Sequence, residues 1–191
     1  MKKYKIHFAP VQGITDWTYR NIHAEFFGGV DAYYTPFIRV EKEDSFRSRD
    51  MKDCDPELNS VKLLVPQVLG GEPAELDVCL QMLEGRGYKQ VDINMGCPFT
   101  MISRRGKGAG LLPHPERVEA LMEVVKDFPE IQCSVKMRLG WEKPRQTIPH
   151  HAGMGRPGGM SEIVAFVECG PAGRHISSCP GGRPGIQGRG G

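Results

Sequence analysis

Apolar residues return in short bursts along the first three quarters of the chain, spaced about 30 residues apart, the length of a βα unit. The bursts are KIHFAPV around Ile6, DAYYTPF around Tyr33, KLLVPQV around Leu64, QVDINMG around Ile93 and QCSVKMR around Val135. Their β-branched and aromatic residues, bounded by Gly, Pro and Asp, predict five strands. Between them the apolar period changes. Leu76, Leu80 and Leu83 fall at helical spacing after Pro73, a first-turn residue, and stop near Gly85 and Gly87. Val118, Leu121, Met122 and Val125 do the same after Pro115. Thr15 and Asp16 offer caps for an earlier helix running through Tyr19, Ile22 and Phe26. Strands alternating with helices predict an α/β protein with parallel strands, either a doubly wound sheet or a TIM barrel.

Two segments break the rhythm. Residues 41–59, EKEDSFRSRDMKDCDPELN, are charged and lack an apolar period, which predicts an exposed excursion between the second and third strands. From Pro144 the composition changes abruptly: residues 144–191 hold half of the 24 glycines, and only EIVAFVE is apolar. Such a segment buries too little surface to offset its ordering entropy. The expected organisation is therefore a folded region, residues 1–143, and a disordered Gly/Pro-rich tail, residues 144–191. A reading-frame change or truncation after about Lys143 would produce such a shift.

A formal charge of +2, with a quarter of the residues charged, suits a soluble domain rather than a strongly basic nucleic-acid module. A local basic face remains compatible with a nucleic-acid partner. No apolar run approaches the roughly 20 residues of a membrane span, and the opening MKKYKIHFAPVQG has too short an apolar core for a signal peptide, so a cytoplasmic location is expected. The six cysteines form no CxxC pair or zinc-spaced cluster, so no metal is expected. In a reducing compartment they are free thiols, and Cys79 and Cys133, among apolar neighbours, read as packing residues.

Polar residues gather at the predicted C-terminal ends of strands, where parallel α/β folds carry their sites. Gln12 follows Ala9-Pro10-Val11, Gln67 ends the third strand, Asn94 and Cys97 the fourth, Lys136 and Arg138 the fifth. Lys136 and Arg138 stand two apart and share a face of a strand. If that face is buried, the two cations need an anion: a phosphate, a carboxylate or the charge on a reduced flavin. If it is an exposed edge, they point to water. Cys97 can be a nucleophile, a proton donor or packing. A free thiol is mostly protonated at neutral pH, which favours an acid over a pre-formed nucleophile. Pro98 restricts it to extended backbone. RRGKGAG, Arg104 to Gly110, matches neither phosphate-loop spacing and reads as a flexible basic loop. The histidines form no constellation.

FAPVQGITDWTYR, LLVPQVLGGEP, VDINMGCP, RRGKGAGLL and SVKMRLGW, in this order between Lys5 and Lys143, resemble the amino-terminal half of the tRNA-dihydrouridine synthases. The resemblance implies a TIM (β/α)8 barrel, of which about the first five βα units are here. It implies FMN as cofactor, NADPH or NADH as reductant, and tRNA as partner of a monomeric enzyme. The C5=C6 bond of a uracil turned out of the RNA would be reduced there. Cys97 matches the family's acid. Pro10, Val11, Gln12, Gln67 and Lys136 match flavin-contacting positions, Asn94 the uracil-facing one, and Arg138 lies beside the site. Val11 stands where the family usually has Met, and the family's later strands and helical tRNA-binding domain have no counterpart. Five strands of eight leave a barrel open, so the chain alone is expected to bind FMN weakly or not at all. The competing readings are a dihydroorotate-dehydrogenase-like flavoprotein acting on a free pyrimidine and a vestigial fragment without activity.

Overall fold

A computed structural model describes residues 5–138 and a short strand at 160–162. Each predicted strand is present. β1 (His7–Phe8), β2 (Ala32–Tyr34) and β3 (Leu64–Val65) pair in that order, and β4 (Gln67–Val68), β5 (Gln90–Met95), β6 (Gln132–Met137) and β7 (Met160–Glu162) pair in theirs, all parallel. β3 and β4 are one run of chain interrupted at Pro66, whose carbonyl still accepts from the Asp92 amide at 2.8 Å. One side of that run pairs with β2 and the other with β5, so the strands follow one another in chain order.

Alternation on β5 divides the protein into an apolar and a polar layer. Val91, Ile93 and Met95 join Cys133, Val135 and Met137 of β6 in a cluster with Leu76, Leu80 and Leu83 of α3 (Pro73–Gly85) and Val118, Leu121 and Val125 of α5 (Pro115–Lys126). These are the helical stripes predicted from spacing. Cys79 and Cys133 are buried there, and burial pushes both thiols up to about 12, as packing residues require. Asp92 and Asn94 project from the opposite face of β5. Among the described residues no helix is long and apolar enough to cross a membrane.

Helix α1 (Trp17–Phe26) starts where the caps predict, with the Asp16 carboxylate accepting from the Tyr19 amide at 2.9 Å, but its orientation reverses the expectation. Tyr19, Ile22 and Phe26 are exposed, Phe26 to 73%, and the buried residue is Arg20. Its guanidinium donates to the Thr15 carbonyl at 2.7 Å, the Asp53 carbonyl at 2.6 Å and Asn59 Oδ1 at 2.7 Å, and lies 3.5 Å from the Asp53 carboxylate. Asp53 also accepts from the Trp17 amide at 2.8 Å. The helix thus docks by its polar face. Desolvation lowers the Arg20 pKa and raises that of Asp53, with their mutual attraction opposing both shifts. The backbone acceptors share the work of keeping the guanidinium buried.

The segment 41–59 is correspondingly more than an excursion. It holds a 3₁₀ turn, Lys42–Asp44, and α2 (Ser48–Asp53), with Asp50, Asp53 and Cys54 buried. Arg20 of α1 reaches Asp53 from outside the segment, Arg47 reaches Asp50 within it at 2.8 Å, and Phe46, Met51 and Cys54 pack on the main core without a regular period. The tail expectation lies outside the described residues except at β7, where Met160 and Glu162 pair with Cys133 and Ser134 of β6. Arg20→Ala leaves a buried carboxylate and three acceptors without their donor and is expected to cost about 3–5 kcal/mol, lowering the melting temperature by roughly 10 °C. Phe26→Ser should change it by less than about 0.5 kcal/mol. Thermal unfolding followed by circular dichroism compares the two, and equal effects would contradict the inverted docking.

Candidate active site

Where β1, β2, β4, β5 and β6 end, their last residues enclose a cavity of about 150 Å³. Pro10, Val11 and Gln12 enter it from the turn after β1, Pro36 and Phe37 from the segment after β2, and Gln67 from β4. Asn94, Gly96, Cys97 and Pro98 come from β5 and its continuation, Lys136 from β6. Seven of the eight candidate site residues therefore meet in one place. Arg138, the eighth, is turned towards the backbone, its Nε donating to the Gly96 carbonyl at 2.5 Å beneath the Cys97 turn.

Parallel register explains the convergence. Gln67 is opposite Asp92 and Asp92 opposite Ser134, while Asn94 is opposite Lys136 one step further along. Because side chains alternate, all five project from the same face in two rows. Lys136, only 7% exposed, belongs to this enclosed face rather than to an exposed edge. The lower row is a closed hydrogen-bond set: Gln67 Nε2 donates to Asp92 Oδ2 at 2.7 Å and Ser134 Oγ to Asp92 Oδ1 at 2.7 Å. Asn94 Nδ2 donates from the second row to Gln67 Oε1 at 2.8 Å, and Asn94 Oδ1 accepts the amides of Gly96 at 3.1 Å and Cys97 at 2.9 Å.

Asp92 is the residue that sequence reasoning missed. It is fully buried, and desolvation raises its carboxyl to about 6 against the opposing pull of Gln67, Ser134 and the Lys136 charge. The signal was present, since Asp92 stands two before Asn94 just as Lys136 stands two before Arg138.

Cys97 is half-buried and packs against Phe37, Leu69 and Ile102, the last on α4 (Thr100–Ser103), whereas Cys54, Cys79 and Cys133 are buried. The RRGKGAG segment holds it from behind. The Ala109 amide donates to the Cys97 carbonyl at 2.9 Å, and a Cβ on Gly108, whose φ is +56°, would lie 2.8 Å from that oxygen. Gly108 is needed for close approach. Lys107 pairs with Glu75 at 2.5 Å, and Arg117 of α5 bonds the Gly71 carbonyl at 2.9 Å. The segment is therefore a packed buttress rather than the flexible loop expected, with only Arg104 and Arg105 of its basic residues exposed.

Asp92 carries a pH signature. Its folded pKa of about 6 lies above the ordinary carboxylate value, so the folded state holds this proton more tightly than the unfolded chain. Its contribution to stability is complete below about pH 4 and is lost as pH rises through about 6, a change on the order of 3 kcal/mol. Asp92→Asn should lack this component. Urea unfolding of both proteins from pH 4 to 7 measures it as a difference, which cancels the carboxylates common to both; parallel curves would remove Asp92 as its source.

Comparisons with known proteins cover the strands that line the cavity. The family model "Dihydrouridine synthase (Dus)" matches residues 7–165, continuing past the change of composition at Lys143. Curated relatives named tRNA-dihydrouridine synthase B include those of Serratia marcescens, 30% identical over 135 residues, and Klebsiella pneumoniae, 29% over 136. That of Vibrio vulnificus is 24% identical over 164 residues. The alignments cover 70%, 70% and 85% of this chain but 39%, 41% and 49% of those relatives, so the chain spans less than half their length. With a family match over most of its residues, including every strand that lines the cavity, the chain belongs to the dihydrouridine synthase family.

Proposed function

We propose that this chain carries the catalytic-acid half of a flavin-dependent tRNA-uridine reductase, built as about the first five βα units of a (β/α)8 barrel. The observation that carries the proposal is the meeting of Gln12, Gln67, Asn94, Cys97 and Lys136 in one cavity at the ends of parallel strands. The barrel reading draws on the wholly parallel pairing in chain order, which a singly wound barrel requires.

The cavity's donor set fits one edge of FMN. Among the described residues Gln12 Oε1 is buried without a hydrogen-bond partner, an arrangement that costs free energy unless a ligand N–H is donated to it. Gln67 adds an amide, and Lys136 a cation suited to negative charge developing on a reduced ring. FMN held there and reduced by NADPH or NADH would supply the hydride for one carbon of the uracil C5=C6 bond. Cys97 then donates its proton to the other carbon, and Asn94, with one amide hydrogen not committed to Gln67, orients a base carbonyl. The cavity of about 150 Å³ is smaller than the 300–1,000 Å³ of an ordinary cofactor site, so the described residues supply only part of the walls of a full FMN site.

Deleting the gene should remove dihydrouridine from a subset of tRNA positions, read by nuclease digestion and mass spectrometry. Restoring it with a copy carrying Cys97→Ala should recover less than about one hundredth of the rate, the size of a general-acid contribution. Unchanged dihydrouridine in the deletion strain would reject the tRNA reading, and a growth requirement for pyrimidine would favour a free-pyrimidine reductase instead. The purified chain should bind FMN with Kd on the order of 100 μM or weaker, measured by quenching of flavin fluorescence. A Kd below about 1 μM would show that the chain supplies those walls itself.

A further inference from the structure

Hydrogen bonds that run from one strand to the next usually allow either amide orientation, because an Asn or Gln can turn its oxygen and nitrogen about. Below Cys97 they do not. At one end stand the backbone amides of Gly96 and Cys97, which can only donate, and Asn94 Oδ1 accepts both. At the other stands Asp92, acceptor-only when ionised, receiving Gln67 Nε2 and Ser134 Oγ. Between these ends Asn94 Nδ2 must face Gln67 Oε1, and does so at 2.8 Å. Both ends impose the same sense on the chain of bonds.

We propose that Asp92 is a positioning residue: through Gln67 and Asn94 its carboxylate fixes the Cys97 amide, and with it the place of the Cys97 thiol in the cavity. Asp92 does not itself line the cavity. Truncating the relay at Asp92 leaves Gln67 able to turn over, which presents an amide nitrogen to Asn94 Nδ2 and sets donor against donor. Asn94 then holds the Gly96-Cys97 turn less tightly. That this placement serves proton donation rests on the reading of Cys97 as the acid; the placement itself does not.

The test is therefore independent of activity. Cys97 is labelled with iodoacetamide in the native chain, and its peptide is quantified by mass spectrometry alongside those of Cys54, Cys79 and Cys133, which buried packing protects. Asp92→Asn, able to offer a donor or an acceptor to Gln67, should change Cys97 labelling about fivefold, the factor that one lost hydrogen bond makes in a local opening equilibrium. The double variant Asp92→Asn with Gln67→Glu moves the carboxylate one step along. The new carboxamide at position 92 then donates to the new carboxylate at position 67, which also accepts from Asn94, so the original sense and net charge return. Its Cys97 labelling should come back to within about twofold of the parent. Ser134→Ala, which removes a bond to Asp92 outside the relay, should leave Cys97 unchanged. The proposal is overturned if Asp92→Asn folds with parental Cys97 labelling, if Ser134→Ala matches Asp92→Asn, or if the double variant, folded or not, fails to restore protection. Because no substrate or flavin is used, loss of the tRNA reading would leave this result standing, and the reverse holds too.

Discussion

A carboxylate enclosed between parallel strands is the constraint around which the described protein is arranged. Asp92 has no access to water, and an isolated ion there would be far too costly to keep. It is held by Gln67 on one side and Ser134 on the other, and both are in direct register with it. That demand reaches outward. It couples β4, β5 and β6 through side chains as well as backbone, determines which way the amides of Gln67 and Asn94 face, and sets Lys136 one row above. The opposite face of the same strands is free to be wholly apolar, and α3 and α5 cover it.

A second buried charge organises the other end of the chain. Arg20 and Asp53 join α1 to the charged segment before β3, and the Thr15 and Asp53 carbonyls accept from the two terminal nitrogens of the guanidinium. Helix α1 therefore inverts the usual arrangement, with its polar stripe inward and Tyr19, Ile22 and Phe26 outward. The Cys97 turn is held in a third way. Gly108 and Ala109 approach its carbonyl from behind, Arg138 bonds the Gly96 carbonyl below it, and Asn94 takes its amides. On the proposed reading of Cys97 as the acid, that fixed geometry would serve proton delivery, because proximity and orientation carry much of the rate.

Much of this was legible in the chain. Five apolar bursts became strands, and the stripes at Leu76–Leu83 and Val118–Val125 became the helices that cover them, because burial of one face enforces a period that sequence displays. Strand-end polar residues were legible for a related reason: a fold that winds in one sense brings the same ends of its strands together, and Gln12, Gln67, Asn94, Cys97 and Lys136 duly share one cavity. The docking of α1 was not legible. Its apolar spacing pointed to a buried stripe, whereas Arg20 had partners 33 and 39 residues away that no local pattern announces.

Sequence by itself determined the kind of elements, their order, the family and the chemical repertoire at the strand ends, since these follow from local period and residue type. Only the tertiary structure decided which polar residues are buried partners and which face the cavity. Asp92 and Asn94 look alike in VDINMGCP, both polar and both on one face of a strand. Register alone places Asp92 opposite Gln67 and Ser134, where it anchors, and Asn94 beside Lys136 at the cavity wall. Pairing between distant strands is a long-range property, and the hydrogen bonds that give each polar residue its role exist only once those strands are side by side.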